Sequence, residues 1–275
     1  MTFLQAFILG IIQGITEFLP ISSSAHLVLF PYVFNWKLEG ETSFIFNVLI
    51  QVGTLVAVLI YFKKDILAIC RAWLVSITKP DQANRDDFQF GLKIILATVP
   101  AALAGLTLKP LIQNVFESPF FAGLLLFVTA IMLFFAEKLK PGRIDIMALT
   151  WKMVLIIGIF QAFALLPGIS RSGATIFAGL LVGLKSKEAG RFSFLMSIPV
   201  LMGAGILSLG DLLQVHGILT FLPLLMTGFI SATLVGYFSI AILMKFLQKY
   251  SLWYFSAYCA ILGSIIMGVA YGLFN

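Results

Sequence analysis

The sequence predicts an all-α membrane protein that crosses the bilayer several times and consists of two repeats of opposite orientation. Three observations lead to this class. The 275-residue chain is 60% hydrophobic and only 11% charged, whereas soluble chains carry about a quarter charged residues. Several apolar runs reach the roughly 20 residues that a helix needs to cross a bilayer. Two polar breaks with matching residues, at 10–26 and 158–175, divide the chain into halves.

The first half begins with a predicted re-entrant hairpin at about 3–34. Residues 3–18 are apolar but too short to cross comfortably before Pro20 and a run of serines interrupt them, and 25–34 is a second short apolar piece. Irregular backbone is tolerated at membrane depth only where it is buried in protein or lines a cavity. A polar loop is expected at 63–87, and the predicted spanning helices of this half are 44–62, 88–108 and 118–136.

The second half repeats this pattern. A second re-entrant hairpin is predicted at about 153–184, around a Ser-Arg-Ser turn, and three spanning helices follow at 189–210, 218–244 and 252–273. We therefore interpret 1–275 as a single membrane domain. Its first repeat covers 1–137 and its second covers 151–275.

The number of crossings in each half is odd, so the second half enters the membrane from the opposite side, as in inverted-topology repeats. If the loop at 63–87 is cytoplasmic, all of the 18 lysine and arginine residues lie on that side except Lys37, Lys109 and Arg171. This bias fixes the orientation by the positive-inside rule. The first hairpin then enters from the outer side and the second from the cytoplasm. The basic pI near 9.3 reflects this orientation, and no nucleic-acid partner is expected.

Gln13 and Glu17 lie four residues apart, so a helix places them on one face. A charged side chain in hydrocarbon costs about 2.5–3.5 kcal/mol on insertion scales and needs a partner or a water-filled cavity. One interpretation is a structural hydrogen-bonded pair. The other is a carboxylate and an amide oxygen that bind a divalent cation, because Mg²⁺ and Ca²⁺ take oxygen ligands.

Ser22, Ser23 and Ser24 open the second short helix, and serine is a common helix N-cap. The free N–H groups and the positive dipole end of such a helix also favour a phosphate. His26 follows one turn later, and histidine suits acid–base catalysis near neutral pH. From the residues alone, His26 is a packing residue, a base for Ser23, or itself the group that attacks phosphorus.

Arg171 stands at the centre of the second break. It either forms a structural ion pair with Glu17 or clamps a phosphate, because a planar guanidinium donates paired hydrogen bonds to phosphate oxygens. A glycine two residues later allows close approach of the backbone. We expect the tips of the two breaks to touch around one anion. The predicted phosphate-binding residues are Ser22, Ser24, Ser170, Arg171, Ser172, Gly173 and Thr175.

Both breaks carry recognisable sequences. From Gln13 to His26 the chain reads Gln-x-x-x-Glu-Phe-Leu-Pro-Ile-Ser-Ser-Ser-Ala-His, and from Pro167 to Thr175 it reads Pro-Gly-Ile-Ser-Arg-Ser-Gly-Ala-Thr. These runs resemble the two signature regions of the undecaprenyl-diphosphate phosphatases of the bacitracin-resistance type. The resemblance extends to the runs 46–54 and 192–199 and covers essentially the whole chain.

The resemblance implies an enzyme of the bacterial cytoplasmic membrane that hydrolyses undecaprenyl diphosphate to undecaprenyl phosphate and orthophosphate. It implies catalysis by Glu17, Ser23, His26 and Arg171, with Ser23 at the position of the family's catalytic serine. It also implies a divalent metal, Mg²⁺ or Ca²⁺, with Gln13 and Glu17 as its ligands. The family has Gln or Glu at the first of these positions, and the glutamine here lowers the negative charge of the site.

Further expectations concern partners and access. The resemblance implies that the enzyme recycles the cell-wall carrier lipid and confers resistance to bacitracin, which competes for the substrate. Membrane lipid is a second partner, and the active site is expected to open to the outer side. The oligomeric state is left open between a monomer and a homodimer.

A secondary transporter or lipid-phosphate flippase is the alternative function, because inverted repeats with broken helices are typical of transporters. A transporter needs an anion site but neither a nucleophile nor a proton acceptor. Glu17, Ser23 and His26 opposite Arg171 therefore favour the enzyme.

Overall fold

A computed structural model describes residues 1–36, 40–107, 119–139, 142–212 and 218–271. Within these ranges the chain forms eleven α-helices and no β-strand. Lys37 and Lys109, predicted on the outer side, lie outside the described residues, as does the whole predicted connection between the spans 88–108 and 118–136. The predicted all-α class is confirmed.

The first break separates two short helices, α1 (Phe3–Thr16) and α2 (Ser23–Val33). Thr2 caps α1 by accepting a hydrogen bond from Gln5 N at 3.2 Å, and Gln5 Oε1 accepts one from Thr2 N at 2.8 Å. The 14 residues of α1 extend about 21 Å at 1.5 Å per residue, less than the roughly 30 Å hydrocarbon core of a bilayer. The pair therefore enters the membrane without crossing it.

The second half opens in the same way, with α7 (Trp151–Phe163) and α8 (Arg171–Leu181) on either side of the second break. Five described helices are long and apolar enough to cross a membrane. They are α5 (Arg85–Thr107), α6 (Pro119–Lys138), α9 (Ser186–Leu212), α10 (Ile218–Lys249) and α11 (Trp253–Ala270). The protein is therefore a multi-pass membrane protein.

The sixth candidate span is α3 (Gly40–Tyr61), whose apolar part Ile45–Tyr61 continues into α4 (Lys63–Thr78) with a bend of 79°. The predicted polar loop at 63–87 is wrong over the length of α4. The basic residues there belong to a helix that packs on α5. A Cβ added to Gly91 of α5 would lie 2.6 Å from Ile69 Cγ2 and 2.7 Å from Trp73 Cζ2, two side chains of α4. Apolar packing, and not local charge, decides the structure of this segment.

The helix pairings of the two halves correspond. The first hairpin's α1 packs on α10, and the second hairpin's α7 packs on α5. Likewise α3 contacts α10 while α9 contacts α5, and the pairs α3–α9 and α6–α11 join one half to the other. If each helix is replaced by its counterpart in the other half, every pair named here becomes another of these pairs or stays the same, as a repeated architecture requires. The repeat boundaries at 137 and 151 stay a prediction.

Small residues bring the short helices close to their neighbours. A Cβ on Gly10 of α1 would lie 2.4 Å from Gly228 O of α10, and one on Gly158 of α7 would lie 2.6 Å from Ala97 O of α5. Close approach through small residues is a usual basis of helix packing in membranes. Backbone-to-backbone packing on a spanning helix thus fixes the depth of each hairpin.

We expect Gly10→Ala to destabilise the protein, because the added methyl group meets the Gly228 carbonyl and Ser231 Oγ, at 2.4 and 2.0 Å from the new Cβ. Overpacking of this kind costs about 1–3 kcal/mol. Thermal unfolding of the purified protein in detergent, followed by tryptophan fluorescence, measures the loss. Gly203→Ala is the matched control, since nothing lies within 4 Å of its Cβ. Equal Tm values for the two variants would contradict the packing argument.

Candidate active site

The tips of the two hairpins meet at an ion pair. Arg171, the first residue of α8, donates from Nη2 to Glu17 Oε1 at 2.7 Å, and the two side chains are only 13% and 6% exposed. Ser172 Oγ donates to Leu19 O at 3.1 Å, so backbone and side chains both join the breaks. The meeting of the two breaks that the sequence predicts is present.

The Glu17 carboxylate accepts three hydrogen bonds. Besides the bond from Arg171, its Oε2 accepts from Gln13 Nε2 at 2.8 Å and from Ser23 Oγ at 2.8 Å. A buried charge is tolerated when it is paired and hydrogen-bonded. Because Gln13 lies one turn before Glu17 on α1, and Ser23 lies across the break, the carboxylate also holds the first hairpin together.

One of the three interpretations of His26 makes it the base for Ser23, but no hydrogen bond joins the two residues in the structure. His26 Nδ1 is 2.7 Å from Ser22 O and Nε2 is 2.7 Å from the Tyr258 hydroxyl. A carbonyl oxygen only accepts, so Nδ1 carries a proton, and in the neutral ring Nε2 accepts from Tyr258. Among the hydrogen bonds of the described residues none joins Ser23 to His26. The base next to the Ser23 hydroxyl is therefore Glu17.

Tyr258 is a site residue that the sequence analysis missed. It lies on α11, 232 positions from His26, and the two rings stack with centroids 5.8 Å apart and an angle of 4° between their planes. No motif surrounds Tyr258 in the sequence, so only the packing of α11 against the first hairpin reveals it.

Ser22 has a strained backbone. Its φ of 67° and ψ of 99° place it in a region that residues other than glycine rarely occupy. Its hydroxyl does not cap α2 and instead lies 3.1 Å from Ser24 Oγ. Strained residues of this kind cluster at functional sites. The conformation directs the Ser22 carbonyl to His26 and so helps to fix the ring.

In the second break, two of the predicted phosphate-binding hydroxyls have structural partners. Ser170 caps α8 by accepting a hydrogen bond from Gly173 N at 3.1 Å. Thr175 Oγ1 donates to Arg171 O at 2.8 Å and lies 2.6 Å from Ser193 Oγ. Arg171 Nη1 also donates to Ser193 O at 3.4 Å. These hydroxyls hold the start of α8, and with it the guanidinium, in position.

A further helix, α6, also holds the second break in position. Thr129 of α6 accepts a hydrogen bond from Ser170 N at 3.0 Å and donates to Gly168 O at 3.1 Å. Gly168 has a φ of +98°, which only glycine adopts easily. Its N–H donates to Ser24 Oγ at 3.4 Å. Of the predicted residues, Ser24 thus contacts the opposite break. No motif marks Thr129 in the sequence, whereas Ser193 lies in the run 192–199 that extends the family resemblance.

One polar atom beside the carboxylate lacks a partner. Gln13 is completely buried, and its Oε1 accepts no hydrogen bond. In the described part of the chain, no three His, Cys, Asp or Glu side chains group together as a metal site. The predicted ligands Gln13 and Glu17 are adjacent and supply one orphan amide oxygen and one carboxylate. Oxygens of a substrate would have to complete the coordination of a divalent cation.

An apolar groove lies between α2, α6 and α11, and Ala25 in its wall precedes His26 in the chain. It is narrow, about 40 Å³ in volume. It is lined by Ala25, Val28, Leu29, Tyr32, Ala122, Ile266, Val269 and Ala270.

Fold and site together define a multi-pass membrane protein with a buried carboxylate–guanidinium centre between two re-entrant hairpins. The family of the bacitracin resistance protein BacA matches residues 6–265. The undecaprenyl-diphosphatase of Methanosphaera stadtmanae is 40% identical over 271 residues, which cover 95% of this chain and 96% of that protein. That of Nocardioides sp. is 40% identical over 262 residues, 95% and 94% of the two chains. That of Thermomicrobium roseum is 40% identical over 275 residues, 96% of each. The chain belongs to the BacA family.

We expect nitrogen NMR of the histidine-labelled protein to find His26 protonated at Nδ1 and to show Nε2 as an acceptor. Tyr258→Phe removes the donor, so the Nε2 resonance moves while the Nδ1 resonance stays in the N–H range. The chain has only two histidines, and His216→Gln assigns the signals. Tyr254→Phe, one turn earlier on α11, is the control and leaves both resonances in place. A wild-type proton on Nε2 contradicts the assignment.

Proposed function

We propose that this protein is an undecaprenyl-diphosphate phosphatase, which cleaves the terminal phosphate from the lipid diphosphate with water to give undecaprenyl phosphate and orthophosphate. The observation that carries the proposal is the convergence of Ser23 and Arg171 on the single Glu17 carboxylate, at 2.8 and 2.7 Å. Phosphoryl transfer needs a proton acceptor at the nucleophile and positive charge at the phosphoryl oxygens. The names of the 40% identical relatives support the same activity.

Glu17 acts as the proton acceptor in this proposal. Its Oε2 already accepts the Ser23 hydrogen bond, so a proton can pass to the carboxylate as Ser23 Oγ, or a water in its place, attacks the terminal phosphorus. The bond from that phosphorus to the bridging oxygen breaks, and the lipid monophosphate leaves. The attack of Ser23 would form a phosphoserine that water then hydrolyses, whereas direct attack by water gives orthophosphate at once.

Arg171 acts as the phosphate clamp. Its contacts to Glu17 and Ser193 use two N–H groups, one on each terminal nitrogen, and a guanidinium has further donors. The ion pair and the clamp are therefore compatible. The guanidinium can neutralise charge on the phosphoryl oxygens while it keeps the carboxylate in place.

His26 is less suited to attack phosphorus itself. Its Nδ1 bears the proton and its Nε2 lone pair accepts from the Tyr258 hydroxyl, both at 2.7 Å. In the proposal, the ring holds the start of α2 and exchanges protons through Tyr258, which is 42% exposed. The nucleophile is thus Ser23 or water.

A divalent cation, Mg²⁺ or Ca²⁺, fits beside these groups. Gln13 and Glu17 would hold it, because a buried orphan oxygen and a carboxylate are the ligands that such ions prefer. A bound cation would neutralise charge on the diphosphate. With one carboxylate, already paired with Arg171, the protein's own hold on the ion is weak and depends on the substrate.

The apolar groove between α2, α6 and α11 supports a lipid substrate. Ala25 in its wall lies between Ser24 and His26 in the chain, so this apolar surface is placed to contact the first part of an isoprenoid chain. The positive-inside bias supports the bacterial cytoplasmic membrane and a site that opens to the outer side. Competition with bacitracin for the substrate is part of the proposal, and a homodimer stays a prediction.

The proposal is tested with the purified protein in detergent, farnesyl diphosphate as a C15 substrate, and release of orthophosphate as the readout. We expect Arg171→Ala and Glu17→Ala to lower kcat by about 100-fold or more, the loss typical of removing a transition-state contact. Ser264→Ala, an exposed hydroxyl on α11, is the control at the wild-type rate. Near-complete loss in Ser23→Ala indicates a serine nucleophile, and a modest loss indicates water. A wild-type protein that releases no phosphate with divalent metal present refutes the proposal.

We expect a chelator to abolish turnover and added Mg²⁺ or Ca²⁺ to restore it. Gln13→Ala should raise the metal concentration at half-maximal rate by about tenfold or more, as loss of a supporting ligand does. Gln161→Ala is the matched control, because Gln161 is the corresponding buried glutamine of α7 and its Oε1 also lacks a partner. An identical metal requirement in both variants would exclude Gln13 as a ligand.

A further inference from the structure

A second cavity, of about 450 Å³, lies where the end of α3, the start of α9 and the end of α10 meet. None of the residues around it belongs to either hairpin. Three packed phenylalanine rings separate it from the first break. Phe62 lies in the cavity wall, its ring centroid is 6.1 Å from that of Phe194, and the Phe194 centroid is 5.3 Å from that of Phe18. The cavity is therefore distinct from the Glu17–Arg171 site, and the proposed reaction does not use it.

The cavity has an unbalanced positive charge. Four exposed lysines line it, and within the described ranges no ion pair involves any of them. Like charges held together around a cavity attract an anion, because the low-dielectric walls focus their field. The four lysines are Lys63, Lys64, Lys187 and Lys245.

The acidic residues of the cavity offset only one of these four lysine charges, because two carboxylates share one guanidinium. Arg191 donates to Asp65 Oδ1 at 2.5 Å and to Glu188 Oε2 at 3.3 Å. Asp65 and Glu188 are the two carboxylates in the lining, and both are directed to that one guanidinium. The ion pairs fix the wall where α3, α4 and α9 meet and leave the lysine ammonium groups available to a ligand.

The adjoining helix shows that the cavity lies at the level of the lipid headgroups. If α3 crosses the bilayer, α4, bent by 79° from it, runs nearly parallel to the membrane plane. Leu67, Leu74 and Ile77 lie on one side of α4 and are 66%, 67% and 80% exposed, with Arg71 beside them. An apolar stripe flanked by basic residues is typical of a helix that lies in the membrane interface.

We propose that this cavity binds a phosphate group, which an anionic phospholipid of the surrounding leaflet supplies. Lysine ammonium groups bind phosphate as point charges, and basic pockets between membrane helices take anionic headgroups. By the predicted orientation this leaflet is the cytoplasmic one. Free phosphate has the same chemistry, so the experiment separates the two sources.

The test measures the thermal unfolding of the purified protein in neutral detergent with three probes: dihexanoyl phosphatidylglycerol, dihexanoyl phosphatidylcholine and inorganic phosphate. A ligand that binds only the folded state raises Tm. We expect phosphatidylglycerol to raise the wild-type Tm by several degrees and phosphatidylcholine to leave it unchanged. Inorganic phosphate is measured with the wild type, the cavity variant and the control variant side by side, so that binding at the first site, which all three retain, cancels in the comparison.

The cavity variant replaces Lys63, Lys64, Lys187 and Lys245 by glutamine and should lose the shift. The control variant removes the same charge outside the cavity, at Arg71, Lys79, Lys152 and Lys249, and should keep it. If the cavity variant does not fold, the pair Lys187→Gln and Lys245→Gln leaves the α3–α4 junction intact and should at least halve the shift.

The outcomes are distinct. A phosphatidylglycerol shift that only the cavity variant loses supports the lipid source. A shift with inorganic phosphate alone, lost in the cavity variant, supports a phosphate site and rejects the lipid source. Equal shifts in the cavity and control variants, or no shift with any probe, overturn the proposal. No readout depends on hydrolysis, so failure here leaves the proposed phosphatase activity unaffected.

Discussion

The ion pair between Glu17 and Arg171 is the interaction on which the rest of the structure depends. Neither charge is stable alone at membrane depth, and breaking a buried pair by removing one partner is strongly destabilising. The two residues stand at the tips of hairpins that belong to different halves, so satisfying both charges requires the hairpins to meet at 2.7 Å. Glycine contacts on α10 and α5 allow this meeting, because they let α1 and α7 pack at backbone distance and set the depth of each tip.

The same pair prepares the site for chemistry. Glu17 is held from three directions, by Gln13, Ser23 and Arg171, which leaves the carboxylate little freedom to rotate. A group positioned before the substrate arrives spends no energy on orientation during the reaction. The strained Ser22 and the Tyr258 hydroxyl position His26 in the same way. The hydroxyls of Ser170 and Thr175, which are predicted to bind phosphate, hold the helix that carries Arg171.

The hairpins and the meeting of their tips could be predicted from the sequence, because polar residues inside apolar runs must find partners within the membrane. The helix α4 could not, since its charges at Lys63, Lys64 and Arg71 resemble those of a loop and only packing on α5 shows otherwise. Tyr258 and Thr129 reach the site from helices without recognisable motifs, so no local signal marks them, while Ser193 lies in the run 192–199 but has no role predicted for it. Spacing alone suggested a Ser23–His26 pair, but the conformation of Ser22 turns its carbonyl to His26, and Ser23 bonds to Glu17.

The fold is symmetric while the site is not, and this difference favours catalysis over transport. Ser22-x-Ser24 corresponds to Ser170-x-Ser172, so Ser23 and Arg171 occupy equivalent positions in the two halves and both contact the one carboxylate. The two repeats therefore place these equivalent residues at the same carboxylate, but one side chain carries a hydroxyl and the other a guanidinium. An inverted-repeat transporter moves its halves around a fixed binding site between them, and such a site needs no hydroxyl held on a carboxylate. Here one half supplies the carboxylate, the serine and the histidine, while the other supplies the guanidinium and the Tyr258 hydroxyl that contacts His26, so the halves cannot exchange their contributions.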